Sequence, residues 1–376
     1  MNDEKTVRLL RRDVLQLCVL GVCVIFLYLF TRAAAARIGS IDRHVAATWY
    51  AEGTRSFRSG DAKGAIESFT KAAAIDRDNR TYLLALADAL AATNHNMEAQ
   101  EALQRLREAD PTNADFNLHL ARLAAKRGNT SEAVVYYHSA LDGMWAGPEA
   151  LEQRRNVRIE LVQFLIAKHD ENRALSELLV VDTELPDKPS AHIQVAKLFL
   201  QVGDARHALN DFAEALRLDL HDVGAMTGAG EAAFRLDDYR KARHYLEEAT
   251  AQGDKSSRTA ESLSLVRMVT LYDPLAPGLG AKERQRRLSL GLNQATQRLE
   301  ECQSKSNSPD LDALKGEAAA MQAEILSTGG AQDPAMISSG VGLTYRIENA
   351  VDARCGVARG VDEALLLIGR RHGDTQ

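Results

Sequence analysis

A chain of 376 residues that is 45% hydrophobic can bury a sizeable core, and its 5% aromatics and eight prolines favour an Ala/Leu-rich helical protein over a sheet protein. The formal charge of −6 lacks the basic surplus that nucleic acid calls for, so no nucleic-acid partner is expected.

Residues 1–13 form a short basic amino terminus, and Val14–Phe30 (VLQLCVLGVCVIFLYLF) then departs from the soluble composition. Its seventeen residues carry no charge and one strongly polar side chain, Gln16. As a helix the run is roughly 26 Å long, just short of a hydrocarbon core of ~30 Å. Thr31 and Ala33–Ala36 extend it while Arg32 snorkels to the interface. A signal-peptide core is typically only ~7–15 residues, so the expectation is an uncleaved single-pass transmembrane helix. The alternative is removal of residues 1–36 at Ala33-Ala34-Ala35, which fits an A-x-A cleavage site. Lys5, Arg8, Arg11 and Arg12 precede the run; Arg32, Arg37 and Arg43 follow it. That bias modestly favours a cytoplasmic amino terminus and an extracytoplasmic body, periplasmic if the source is bacterial.

After a juxtamembrane linker, 31–45, a pattern opens at Ala46. Counting Ala46 as one, Trp49 stands at four, Gly53 at eight, Gly60 at fifteen, Ala65 at twenty, Phe69 at twenty-four and Ala72 at twenty-seven. Small residues at eight and twenty let two helices touch closely, while Trp49 and Phe69 fill the space beside them. The register returns at Arg80, with Leu86, Ala87, Ala99, Leu103 and Pro111. It returns at Ala114, with Leu120, Ala121, Gly128, Ala133, Tyr137 and Ala140. The fourth signature starts at Arg155, with Leu161, Ala174, Leu178 and Pro186, after seven inserted residues, Pro148–Arg154. Gly147-Pro148 predicts that the fourth unit's first helix starts early and runs about two turns long. Further units open at Pro189 (Val195, Ala196, Gly203, Ala208, Phe212, Ala215) and Val223 (Gly230, Ala242, Leu246, Ala249). Asn79, Asn113 and Asp222 end their units, where a short polar side chain suits a turn.

This spacing resembles the tetratricopeptide repeat, a helix–turn–helix unit of ~34 residues. The resemblance implies an all-α solenoid, a right-handed superhelix over 46–272, with a concave groove made by the first helix of each unit. Ser257–Leu271 reads as a capping seventh first-helix. A loop follows at 273–280, and 281–376 reads as a carboxy-terminal helical region. Leu288, Leu292, Ala295, Leu299 and Cys302 form one apolar stripe there; Leu311, Leu314, Ala318, Met321 and Ile325 form another, opened by Ser308-Pro309. Met336–Asp352 is a weaker helix interrupted by Gly340 and Gly342, and Val361–Ile368 is short and apolar. These stripes suit a small bundle on the end of the solenoid.

The ten histidines show no H-E-x-x-H and no pair three or four apart, so no helical metal site is expected. His192 sits at a packing position and reads as a helix-contact histidine. Gly228-Ala229-Gly230 lacks the preceding strand that a dinucleotide site needs. With no GxSxG, no CxxC and only scattered carboxylates, neither enzyme, catalytic residue nor cofactor is expected. On the expected topology Cys302 and Cys355 would lie in a compartment that permits a disulfide; a bridge and two buried thiols are both open, since Cys302 also continues an apolar stripe.

The expected function is a membrane-anchored scaffold that binds another protein or an extended peptide of one, in cell-envelope assembly or secretion. The alternatives are a structural subunit packed permanently in a larger membrane complex, and an enzyme with its site in 273–376, for which no motif stands. The resemblance implies that positions two, five, nine, twelve and thirteen of each first helix face the partner. In the first unit these include Tyr50, Phe57 and Arg58; in the third, Leu118, Arg122 and Lys126. The fifth gives Ile193 and Lys197, and the sixth Phe234 and Arg235. Arg122 and Lys126 share one helical face, and apolar side chains beside cations suit a peptide carrying acidic groups. Family members that clamp a terminal carboxylate use Lys and Asn here; Tyr50 and Thr54 do not match, so that ligand is not carried over.

Overall fold

The computed structural model describes residues 3–306, 308–327 and 334–373, and of residues 3–19, 23 and 33–41 the backbone alone. The described residues form helices without a strand; one isolated bridge joins Asn113 and Met144. The fold divides into two units, residues 1–164 and 165–376.

In the first unit α1 (Asp3–Arg58) runs continuously from the amino terminus into the first repeat. Then come α2 (Ala62–Ile75), α3 (Arg80–Ala92), α4 (Asn96–Ala109), α5 (Ala114–Lys126) and α6 (Thr130–Leu141). α7 (Ala150–Ala167) crosses the division and, at 18 residues, outruns the 13 of α3 and α5; it starts early, at Ala150 and not at Pro148, so the extension falls short of the two turns expected. Each helix from α1 to α6 packs on the next. The reason lies in the small–large spacing. A Cβ on Gly53 would fall 2.6 Å from the Phe69 ring, so only glycine lets α1 approach α2 so closely. Ala65, Ala87, Ala99, Ala121 and Ala133 are wholly buried at the matching places.

The second unit continues with α8 (Glu171–Thr183), α9 (Pro189–Gln201), α10 (Ala205–Leu218), α11 (Val223–Arg235) and α12 (Tyr239–Ala251). The remaining helices are α13 (Ser257–Tyr272), α14 (Ala281–Gln303), α15 (Pro309–Ser327), α16 (Pro334–Cys355) and α17 (Val361–Gly373). The GAG sequence lies within α11, where Gly228 faces the Phe212 ring and Gly230 faces Leu246.

Two differences from the sequence reading stand out. α13 does not close the array: one core runs on from Tyr239 and Leu246 through Leu263, Val266 and Val269 to Leu288, Leu292, Ile347 and Leu365. The last repeat is therefore covered by α14–α17, and its apolar face needs no polar cap. Gly340 and Gly342 also fail to interrupt α16, which runs unbroken for 22 residues. A Cβ at Gly340 would lie 2.7 Å from the Leu288 side chain, so this glycine marks a close helix crossing.

Among the described residues no helix is long and apolar enough to cross a membrane. Of the Val14–Phe30 run, the side chains of 14–19 and 23 lie outside the described residues. Those that are described stand bare, from Leu29 at 54% to Phe26 at 70% exposed.

Candidate functional site

The first helices are aimed by a turn that recurs in all six units. Position fifteen adopts the left-handed conformation each time: Gly60, Asn94, Gly128, His169, Gly203 and Asp237 all have positive φ. Position sixteen then caps the second helix. Asp61, Asn129, Asp170, Asp204 and Asp238 each accept a hydrogen bond from the backbone N–H three residues on; only His95 makes no such bond. Sequence reading noted the glycines but missed the Asp/Asn that follows them, a signal visible in the string. Asn79, Asn113 and Asp222, read as turn residues, are themselves N-caps of α3, α5 and α11.

The ten expected groove residues meet different fates. Tyr50 packs between the rings of Phe69 (5.7 Å) and Tyr82 (5.1 Å), and Leu118 is 6% exposed, so both belong to the packing. Phe57, Arg58 and Lys197 are exposed, and Ile193 is half-buried. Arg122 is engaged: its Nε and Nη2 donate to the two Glu160 oxygens at 2.8 and 2.7 Å. The Tyr137 hydroxyl donates to the same carboxylate at 2.8 Å. Burial works against the charged Glu160, but the Arg122 and Tyr137 hydrogen bonds outweigh it and hold its pKa below the ordinary value. The Glu160 hydrogen bond, opposed by partial burial, raises that of Arg122.

Lys126 and Arg235, both at position thirteen, are spent in one way. Lys126 Nζ donates to the Ala91 carbonyl, and Arg235 Nη1 donates to the Leu200 carbonyl at 2.5 Å. Each acceptor is position twelve of the preceding first helix, where the last carbonyls lack helical partners and the dipole favours a cation. The two cations thus tie neighbouring first helices together.

An open recess lies at α11 and α13. It holds about 410 Å3 and is lined by Glu231, Phe234, Arg235, Leu246, Arg258 and Ser262 among others. Glu231 Oε1 accepts from Arg235 Nη2 at 2.7 Å and from Arg258 Nη2 at 2.9 Å, with the Arg258 side chain 77% exposed. Phe234 stands edge-on to Tyr239, 5.6 Å between ring centres. Of the expected residues, the recess brings Phe234 and Arg235 together and adds Arg258, which the sequence reading passed over.

Elsewhere, His192 is buried with its Nδ1 3.0 Å from Asp211 Oδ1. Burial, with Asp182 nearby, pushes Asp211 up to about 6 against the pull of His192. Cys302 and Cys355 form a disulfide, with Cα atoms 5.7 Å apart. Among the described residues no group of three or more His, Cys, Asp or Glu side chains is placed to hold a metal ion.

Comparison with known proteins agrees with the helix–turn–helix pattern. Tetratricopeptide repeat family models match residues 56–112 and 195–257. No curated protein matches the sequence. Similar solved structures include YrrB, a TPR protein with an unusual peptide-binding site, at 20% identity and a TM-score of 0.40 over 52% of this chain and 97% of that one. The type IV pilus biogenesis factor PilW aligns at 18% identity and a TM-score of 0.38, covering 61% of this chain and 98% of its own. Pseudomonas aeruginosa PilF aligns at 18% identity and 0.34, over 63% and 97%. Over its two matched segments, the chain carries tetratricopeptide repeats.

Proposed function

We propose that the chain is a membrane-anchored scaffold, working in envelope assembly or secretion, whose repeats hold an extended peptide of a partner protein. The anchor rests on the uncharged Val14–Phe30 run and on the bare side chains of its described part, which an aqueous setting would leave with a large apolar surface. The body lies across the membrane from the basic amino terminus, in a compartment that lets the Cys302–Cys355 bond persist.

The observation that carries the binding site is the α11/α13 recess. Arg258 keeps most of its surface free while sharing Glu231 with Arg235, so it can meet a peptide carboxylate. Phe234 and Leu246 supply the apolar wall beside it. Ile193 and Lys197 extend the candidate surface within the same unit, whereas in the first unit Phe57 and Arg58 stay exposed and Arg122 and Lys126 are engaged with Glu160 and the Ala91 carbonyl.

The test places a photocrosslinker at Ser262, at Lys197 and, as control, at Val135, which is 61% exposed on a second helix. One partner captured from Ser262 and Lys197 but not Val135, and weakened about tenfold or more by Arg258→Glu, supports the groove. Equal capture from Val135 moves the surface elsewhere. Retention after alkaline wash, with activity from a periplasm-active reporter fused after Gln376, tests anchor and orientation together. A product beginning near Arg37 would show cleavage.

A further inference from the structure

A second cleft of the second unit lies away from the recess, between the α11–α12 turn, the end of α13, the connection to α14, and α17. It holds about 660 Å3, within the ~300–1,000 Å3 usual for small-molecule sites. Leu236, Val269, Pro277 and Leu279 give it apolar walls, and four guanidinium groups reach it: Arg240, Arg243, Arg287 and Arg371.

Its carboxylates are already taken. Asp237 accepts from the Tyr239 hydroxyl at 2.6 Å. Asp238 caps α12 and pairs with Lys241 at 3.2 Å. Asp273 is buried against Arg371 at 3.6 Å and His372 at 3.2 Å.

The cations are not matched in the same way. Arg243 shares one Glu247 oxygen with Arg267, both at about 3.0 Å, so two positive charges face one negative. Arg287 is fixed by the Thr270 and Asp273 carbonyls at 2.6 and 3.2 Å, and shares Glu283 with Arg286. Arg371 lies over the Tyr239 ring at 5.6 Å. The Arg240 guanidinium makes no hydrogen bond or ion pair among the described residues. Planar forks held by their surroundings, with one left open, suit oxyanions that accept several N–H bonds at once.

We propose that this cleft is a second binding site, distinct from the peptide groove, for a small molecule bearing a diphosphate or polycarboxylate group. Arg240 and Arg243 take its charge, Arg371 orients it, and the apolar walls hold its body.

The test uses the full-length chain in neutral detergent at about 0.15 M salt, where unpaired long-range attraction is screened beyond about 8 Å. Calorimetric titration with pyrophosphate and, separately, citrate distinguishes the two oxyanion sources. Binding of at least one probe tighter than about 1 mM is expected. Arg240→Ala, which removes no hydrogen bond or ion pair, weakens it about tenfold at an unchanged melting temperature, and Arg240→Ala with Arg243→Ala abolishes it. Arg105→Ala with Arg217→Ala, an equal charge change outside the cleft, leaves it intact. The proposal is overturned if neither probe binds the wild type, if Arg240→Ala binds as well as wild type, or if the control variant loses as much as the cleft variant.

Discussion

The repeats and the four helices α14–α17 are built from similar apolar helices, but they are secured differently. In the repeats stability is spread over recurring places: a buried alanine at twenty, a left-handed residue at fifteen, an Asp or Asn cap at sixteen. In α14–α17 it is concentrated. One disulfide joins the end of α14 to the end of α16, and one turn earlier Arg298 reaches into a polar cluster. Its guanidinium meets buried Glu348, the Gly356 carbonyl at 2.7 Å and Asp362 at 3.4 Å. A repeating design sums many similar local contributions and neighbour interfaces; a concentrated one stakes three helices on a few side chains.

The sharpest way to break the repeat side of this contrast is Ala133→Arg. Ala133 is wholly buried where α6 meets α5, so extra volume and an unpaired buried charge together cost about 4 kcal/mol or more. Hydrogen exchange should show lost protection across α3–α6 and intact protection across α14–α17. An unchanged thermal melt would remove Ala133 from the helix interface.

For the bundle the corresponding stroke is reduction of Cys302–Cys355. The bonded residues are 53 apart in sequence, and loop-closure entropy puts the bond at about 4 kcal/mol. Native material should show no reactive thiol at either position, and Cys302→Ala with Cys355→Ala should lower the bundle's melt while leaving α3–α6 protected. Alkylation of both cysteines without reductant would sink the bond.

The ion cluster gives a pH signature that the repeat alanines cannot. Burial pushes Glu348 up to about 7 from an ordinary 4.5, with Asp362 and Asp352 adding to the rise and Arg298 opposing it. Below pH 4.5 the group is protonated whether folded or unfolded, so its contribution is complete. As pH climbs towards 7 the unfolded chain gives up the proton and the folded one keeps it, so stability is lost through that window. The fall should be roughly 2–3 kcal/mol, and Glu348→Gln should flatten it in denaturant melts at pH 4.5 and 7.5. A slope unchanged by the substitution would assign the titration elsewhere.

The same contrast explains what could be read from the string. Repeated spacing made the units visible: α3, α5, α9, α11 and α13 begin at Arg80, Ala114, Pro189, Val223 and Ser257, where the register opens. The bundle showed only stripes, because an interaction such as Arg298 with Glu348, 50 residues apart, leaves no local pattern. The groove was legible as positions but not as chemistry. Arg122 and Lys126 look like free cations on one helical face, yet their partners, Glu160 and the Ala91 carbonyl, belong to other repeats. Reversing Arg122 would set a carboxylate against Glu160 and disturb the Tyr137 hydrogen bond, so the double reversal Arg122→Glu, Lys126→Glu should lower the melt, unlike a change on a free solvated face.

The smallest effect separates the two regions by sign. Gly203 and Gly316 are both exposed, and a Cβ on either would meet nothing within 4 Å. Packing is therefore silent, and backbone conformation alone decides. Gly203 closes the turn between α9 and α10 at φ +87°, where an L-residue is strained by ~1–2 kcal/mol. Its replacement by alanine should cost about 1 kcal/mol after the entropy removed from the unfolded chain is credited. Gly316 lies inside α15 in ordinary helical conformation, so Gly316→Ala should stabilise by about 0.5–1 kcal/mol. Denaturant melts of the two variants should move to opposite sides of wild type. A shift in the same direction would mean that position fifteen is not held left-handed in solution, which would remove the turn that aims every first helix at the groove.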